Sequence, residues 1–309
     1  MGLLGLGLIA LSFGKISNNY IYQKFQNTQY SKICWFLQKC QQGDFSQQEY
    51  EGIFIGSSQV YYGINDSILG PKYLNLGFNT PSRDMDLYVL ETFFYSGGKA
   101  GRVFLGVGGD KLVPYGTHPL MPYLVSPNWL LTHGQKWYSL HFLKFIIIRS
   151  QKVLESIISP VDENIIEFSR NYGVGYLDRT INRIKPFNEV RLQKNRFNYR
   201  ATVKSLDEIR HNIHSQWSFF EEIKSNYKPQ ILMLPSYLKA DKFQKLQQSM
   251  QENEHLKGLK MFSLDVSFSE LLESQENWAD PGHLNAVGAK LFSQELKKKF
   301  EGSALSNIP

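Results

Sequence analysis

The chain has few cysteines and no apolar run long enough to cross a bilayer. Only two of its 309 residues are cysteine, at positions 34 and 40, which excludes a disulfide framework and a cysteine-based zinc ligand set. Its two strongly apolar segments, 1–13 and 137–148, fall short of the roughly 20 residues that a spanning helix needs. The sequence also lacks an internal repeat, a low-complexity tract and a nucleic-acid-binding motif.

The composition is that of a globular protein with a basic surface. Hydrophobic residues make up 42% and aromatic residues 14%, which is ample for a core. The net charge of +6 permits anionic glycans, lipid head groups or nucleic acid as partners, and the missing nucleic-acid motif argues against the last. His211 and His214 lie three residues apart but have no evident third ligand nearby, so we expect no metal and no cofactor.

The first 17 residues resemble a signal anchor. Met1 to Phe13 is apolar with no charge before Lys15, and Ala10-Leu11-Ser12 is a passable cleavage site, although the usual basic lead is missing. The alternative is a buried N-terminal helix. The pattern favours export or membrane tethering at the cell envelope, with membrane contact through this segment, and residues 18–50 read as a helical lead-in.

Short apolar runs alternate with helical periodicity over residues 51–302. This alternation predicts an α/β domain with a doubly wound, parallel five-stranded sheet. A stretch of about 111–200, rich in aromatics, basic residues and proline, reads as a large insertion after the third strand. The predicted strands are 52–56, 72–76, 102–106, 230–234 and 260–264, and the predicted helices are 81–95, 205–227, 239–255 and 285–300.

Three of the predicted strand and helix ends carry residues suited to acyl chemistry. The first is Gly56-Ser57-Ser58, directly after strand one, and the second is Asn75-Leu76-Gly77-Phe78-Asn79, after strand two. The third is Asp280-Pro281-Gly282-His283, before the last helix, where an aspartate can orient an imidazole that takes a proton from a serine. Each motif alone has a plainer explanation, as a helix cap, a βα turn or a packed histidine.

Together the three motifs resemble the SGNH (GDSL-like) hydrolase superfamily. That family has Gly-x-Ser after the first strand, a glycine after the second, and Asp-x-x-His before the last helix. The resemblance covers about 52–300 without the insertion, and the closing block, His283-Leu284-Asn285 followed by Gly288, is its most specific part. It implies a three-layer, flavodoxin-like αβα fold and a catalytic triad of Ser58, His283 and Asp280.

One departure from the family pattern concerns the oxyanion hole. The family has Gly-x-Asn after the third strand, whereas this chain has Gly108 and Gly109 without the asparagine. Losing such a donor typically raises the barrier by about 2.7–4 kcal/mol, so we expect backbone N–H groups to replace it. The residues expected to line the hole or contact substrate are Gly77, Asn79, Gly108 and Gly109. The serine pair and the missing asparagine are similar to cell-envelope acyltransferase branches of the superfamily.

These features predict a serine-dependent esterase or O-acyltransferase acting through an acyl-enzyme on an acylated carbohydrate or other ester. Two alternatives stay open. One is a non-catalytic glycan-binding protein that keeps the fold, and the other is a membrane-tethered envelope assembly factor. The sequence sets neither the acyl donor and acceptor nor the oligomeric state.

Overall fold

The computed structural model describes residues 31–78, 83–107, 176–178, 183–185, 217–235, 247–248, 250–252, 256–262, 274–280 and 282–305, together with residues 129, 147, 150–151, 154 and 158. The chain divides into two compact units. One comprises 1–44 and 117–173, and the other comprises 45–116 and 174–309. All strands given below belong to the second unit, and the predicted limits of the α/β domain at 51–302 stay a prediction.

The described part of the first unit contains helix α1 (Ser31–Gln42). Ile33, Phe36 and Leu37 are buried, with the three- and four-residue spacing of one helical face. Both cysteines are buried, and burial raises the pKa of the Cys34 thiol above its ordinary value. α1 lies within the segment predicted as a helical lead-in.

The second unit is built on a five-stranded, all-parallel sheet. Its strands are β2 (Gly52–Gly56), β3 (Tyr73–Gly77), β5 (Val103–Val107), β8 (Gln230–Met233) and β9 (Met261–Phe262), in the order β3-β2-β5-β8-β9. β3 lies at one edge of the sheet, beside β2. On the other side of β2, β5, β8 and β9 follow in chain order. This is the flavodoxin-like order, and it confirms the α/β class and the parallel sheet.

The strands form because their residues are apolar on both faces. Every residue of β2 and β5 is buried, as expected when helices cover both faces of a parallel sheet. A core cluster joins Phe54 and Phe104 on the sheet to Phe292 and Phe300 on the last helix. The rings of Phe54 and Phe104 stack with centroids 4.9 Å apart.

The helices are α2 (Ser58–Gly63), α3 (Asp66–Leu69), α4 (Arg83–Tyr95), α5 (Trp217–Tyr227) and α6 (Ala286–Leu305), with short 3-10 turns at Asp44–Gln47 and Gln275–Asn277. Three of them, α4, α5 and α6, overlap predicted helices, whereas the short helices α2 and α3 were not predicted. The predicted helix at 239–255 lies mostly outside the described residues. None of the helices in the described part of the chain has both the length and the apolar character needed to traverse a bilayer.

Several smaller elements were not predicted. β1 (Glu49–Tyr50) and β4 (Lys99–Ala100) form a parallel pair of two residues each, too short for a periodic signal. β6 (Tyr176–Asp178) and β7 (Arg183–Lys185) pair antiparallel inside the predicted insertion. β10 (Trp278–Asp280) and β11 (His283–Leu284) form an antiparallel hairpin directly before α6.

Candidate active site

The site lies at the carboxyl end of β2, where the chain turns into α2. β2 has β3 on one side and β5 on the other, so this is the point at which the strand order reverses. Ligands bind beyond the carboxyl ends of parallel strands at such a switch point. Ser58 is the first residue of α2, and Ser57 is its N-cap, with no hydrogen bond from its side chain to the helix.

Three glycines let α2 approach the sheet closely around Val60. A Cβ at Gly56, Gly77 or Gly106 would lie 2.6, 2.5 or 2.2 Å from a methyl group of Val60, which is too close for any side chain. Gly56 also has a φ of +143°, a region that favours glycine. The carboxyl ends of β2, β3 and β5 together form this glycine cradle, which sets the height of Ser58 above the sheet.

His283, the predicted base, is carried by the β10–β11 hairpin. Asn285 follows β11, and its side-chain Oδ1 accepts the backbone N–H groups of Val287 at 2.9 Å and Gly288 at 3.1 Å, which caps α6. Its Nδ2 donates to the carbonyl of Glu276 at 2.6 Å. Asn285 therefore fixes both the start of α6 and the strand pair that presents His283.

The structure brings Ser58 and His283 into contact. Ser58 Oγ lies 2.8 Å from His283 Nε2, across 225 residues of sequence, and the pair is partly buried. The sequence-based expectation that the two side chains meet is confirmed. A hydroxyl at this distance from an imidazole nitrogen can transfer its proton to it.

Asp280 takes a position opposite His283 in the hairpin. Asp280 and His283 are paired residues in the antiparallel register of β10 and β11, next to an irregularity after Trp278. Antiparallel partners are the closest cross-strand neighbours in a sheet. The backbone thus supports the predicted role of Asp280, and its carboxylate contact stays a prediction.

The expectation for Gly77 needs correction. Its backbone N–H, which was expected to face an oxyanion, donates to the side-chain Oδ1 of Asn75 at 2.8 Å. An N–H group that is already bonded within the protein cannot stabilise a developing charge without losing that bond. The absence of a side chain at Gly77 is explained instead by its contact with Val60.

Asn75 is a structural residue that the sequence reading did not single out. It is fully buried in β3, and its Nδ2 donates to the carbonyls of Val60 at 3.0 Å and Ile64 at 2.6 Å. These carbonyls lie in and just after α2, at the end of the helix where carbonyl groups run short of helical partners, and the Val60 carbonyl also accepts the Ile64 N–H at 3.1 Å. A polar residue inside an otherwise apolar strand was the available signal.

Two further residues of α2 contact His283 or Gly282, the residue before it. Gln59 donates its side-chain Nε2 to the carbonyl of Gly282 at 3.1 Å. The ring of Tyr62 packs against the imidazole of His283, with centroids 5.4 Å apart and planes at 90°. Their sequence signal is only that they lie one and four residues after Ser58 in the same short helix.

The other predicted site residues, Asn79, Gly108 and Gly109, lie outside the described residues, as do His211 and His214. In the part of the chain that the structure describes, no three His, Cys, Asp or Glu side chains are grouped as metal ligands would be.

Comparison of the chain with protein-family models, curated proteins and solved structures finds no match. The functional interpretation therefore depends on the motifs and on the geometry of this chain alone.

Proposed function

We propose that this protein is a serine-dependent acyl-ester hydrolase or O-acyltransferase of the SGNH type. The observation that carries the proposal is the 2.8 Å contact between Ser58 Oγ and His283 Nε2 at the switch point of a parallel sheet. Nucleophile and base lie within hydrogen-bond reach of each other, which is the geometric requirement for an activated serine.

The reaction would proceed in two displacements. His283 Nε2 accepts the Ser58 proton as Oγ forms a bond to the ester carbonyl carbon. The tetrahedral intermediate collapses, the alcohol leaves with the proton from His283, and the acyl group stays on Ser58. Water or a sugar hydroxyl then gives its proton to His283 and attacks the acyl carbon. The bond from that carbon to Ser58 Oγ breaks, His283 returns the proton to Oγ, and the product is a free acid or an acylated sugar.

Asp280 would orient His283 by accepting the N–H of Nδ1, which leaves Nε2 free to take the serine proton. Their pairing across the hairpin supports this assignment.

The oxyanion hole would include the backbone N–H of Ser58. Ser58 is the first residue of α2, where a helix has no internal acceptor for the N–H. Gly108 and Gly109, directly after β5, are the proposed further donors, because that strand lies next to β2 in the sheet. Gly77 has no part in this hole, since its N–H is bonded to Asn75.

The bond from the Gly77 N–H to Asn75 also supports a second candidate function, which is binding without turnover. With Gly77 engaged and no asparagine after the third strand, the site has fewer donors than the family pattern provides. A glycan-binding or assembly protein that keeps the fold without turnover would tolerate this loss. The apolar start of the chain and its net charge of +6 support a cell-envelope glycan as the substrate or ligand in either case.

Turnover of an aryl acetate separates the two candidates. We expect hydrolysis by the parent protein and by Ser57→Ala, and loss of hydrolysis in Ser58→Ala. Ser57 is a matched control because it is the adjacent serine and its side chain makes no capping bond. Equal rates in Ser58→Ala and the parent would exclude the serine mechanism, and added sugar acceptors that divert acyl groups from water would identify a transferase.

A further inference from the structure

Helix α2 contacts the base at three points. Ser58 meets the His283 ring, Gln59 meets the Gly282 carbonyl, and Tyr62 packs on the His283 ring. The contacts of Gln59 and Tyr62 involve neither Ser58 Oγ nor His283 Nε2. They act on the backbone and on the ring plane that decide where Nε2 points.

Gln59 holds the backbone immediately before His283. The residue is 7% exposed, and its Nε2 donates to the Gly282 carbonyl at 3.1 Å. Since a carbonyl oxygen can only accept, the amide nitrogen must be the atom that faces it. The bond is partly buried, and a donor enclosed in this way is costly to leave unpaired, so the bond ties the hairpin to the helix that carries Ser58.

Tyr62 restricts the ring itself. It lies four residues after Ser58, so the two side chains project from the same side of α2. Its ring is 3% exposed and perpendicular to the imidazole, an arrangement that aromatic rings favour. Rotation of the imidazole about its bond to the hairpin would break this packing.

We propose that Gln59 and Tyr62 are positioning residues that hold His283 in line with Ser58, so that nucleophile and base are assembled before substrate arrives. This proposal rests on the proposed function, because it assigns the two residues a task in that reaction. Misplacement of a reacting group by about 1 Å can cost on the order of 100-fold in rate, so fixing the ring in advance has a measurable value.

The test replaces each contact with a matched side chain. Gln59→Met keeps the length and removes the donor, and Gln59→Glu keeps the shape and cannot donate. Gln48→Met is the control, because Gln48 Nε2 donates to the Pro71 carbonyl at the other end of the sheet. Tyr62→Leu removes the ring, whereas Tyr62→Phe retains it.

We expect Gln59→Met and Gln59→Glu to lower kcat by about 10- to 100-fold with KM changed less than about threefold. Tyr62→Leu should lower kcat by about 10-fold, Tyr62→Phe should stay near the parent, and Gln48→Met should leave kcat unchanged. Melting curves recorded on the same samples give the folded fraction of each variant, by which its kcat is corrected. A kcat that falls only with the folded fraction in Gln59→Met and Tyr62→Leu would overturn the proposal.

A readout without substrate separates this proposal from the function itself. NMR relaxation measured on the His283 ring should show greater motion in Gln59→Met and unchanged motion in Gln48→Met, because only the first change frees the hairpin that carries the ring. Unchanged ring motion in Gln59→Met contradicts the positioning role even in an active enzyme. Failure of the proposed function would appear instead as undiminished turnover in Ser58→Ala.

Discussion

The two ends of the parallel sheet use their polar groups in different ways. At the amino ends of β2, β3 and β5, an ion pair and several hydrogen bonds join Glu51, Lys72, Tyr73 and Arg102 to one another. At the carboxyl end of β2, the Ser58 hydroxyl and the His283 imidazole face each other, partly buried, at 2.8 Å. The network at the amino ends pairs opposite charges, whereas the contact at the carboxyl end places a hydroxyl within proton-transfer distance of an imidazole nitrogen.

The amino-end network is also packed on aromatic rings. The guanidinium of Arg102 lies 5.5 Å from the ring centre of Phe104 and 5.1 Å from that of Phe300, and its terminal nitrogen donates to Tyr73 Oη at 2.9 Å. Tyr73 and Phe300 stack with centroids 5.1 Å apart. Such an arrangement joins the sheet to α6, and it lies at the end of the sheet opposite Ser58 and His283. We therefore expect changes there to affect stability alone.

The largest expected effect is on the carboxyl side. His283→Ala should lower kcat/KM for an aryl acetate by about 10⁴-fold or more, because the serine loses its base. His283→Asn, which stays polar but cannot take the proton in the same way, should be equally inactive. The melting temperature should change little in both. Steady-state kinetics and thermal denaturation check this, and activity within tenfold of the parent would contradict it.

A change in the glycine cradle should affect both stability and catalysis. Gly106→Ala places a methyl group 2.2 Å from Val60 Cγ2 and 2.9 Å from Leu234 Cδ1. We expect a loss of about 1–3 kcal/mol in the free energy of unfolding, with a fall in kcat as α2 is displaced.

The matched variant for the cradle is Val60→Ala, which removes the clashing methyl groups. The double variant should be more stable than the sum of the two single losses predicts, because the two changes compensate at one contact. If the two losses of unfolding free energy measured in urea are additive, Val60 is not the residue that excludes a side chain at position 106.

On the amino side, Arg102→Met should lower the free energy of unfolding by about 1 kcal/mol through loss of the Tyr73 hydrogen bond and the contact with two aromatic rings. Arg102→Lys keeps the charge without the planar group and should fall between parent and Met variant. Urea denaturation measures both. A loss of kcat/KM at full folding would show that the two ends of the sheet are coupled.

The smallest effect belongs to the exposed pair of Glu51 and Lys72. The hydrogen bond from Lys72 lowers the pKa of Glu51, and Glu51 in turn raises the pKa of Lys72. The Glu51 contribution is therefore present above its unfolded pKa and is lost as pH falls through its lowered folded value. The Lys72 contribution is present below the unfolded pKa of Lys72 and is lost as pH rises through its raised folded value.

We expect Glu51→Gln to lower the melting temperature slightly at pH 7 and low salt, and to have a smaller effect at pH 3 or in high salt, because exposed pairs are weak and screened and the Glu51 contribution falls with pH. Melting curves at the two pH values measure this. A larger loss at pH 3 than at pH 7 would reverse the sign of the argument.

The sheet could be predicted because its signal is local. Each predicted strand lies within two residues of an observed one, since runs such as Gly52–Gly56 are apolar and bounded by turn residues. The contact of Ser58 with His283 was predictable because both motifs lie at expected positions around the sheet.

What failed or was missed depends on three-dimensional detail. The Gly77 N–H is taken by a side chain two residues earlier in the same strand, a choice that no spacing rule reveals. Gln59 and Tyr62 contact a hairpin that lies more than 200 residues away in sequence, so their proposed role cannot be inferred from nearby residues. The role of Gly106 follows from the close approach of α2, which depends on the packing of the whole sheet.

The most direct test of the central claim is to map the adduct formed with a fluorophosphonate probe by peptide mass spectrometry. We expect one adduct per chain, on Ser58, formed by the parent, Ser57→Ala and Arg102→Met and absent from Ser58→Ala. An adduct that persists in Ser58→Ala, or no adduct on the folded parent, would contradict the assignment of Ser58 and His283 as nucleophile and base.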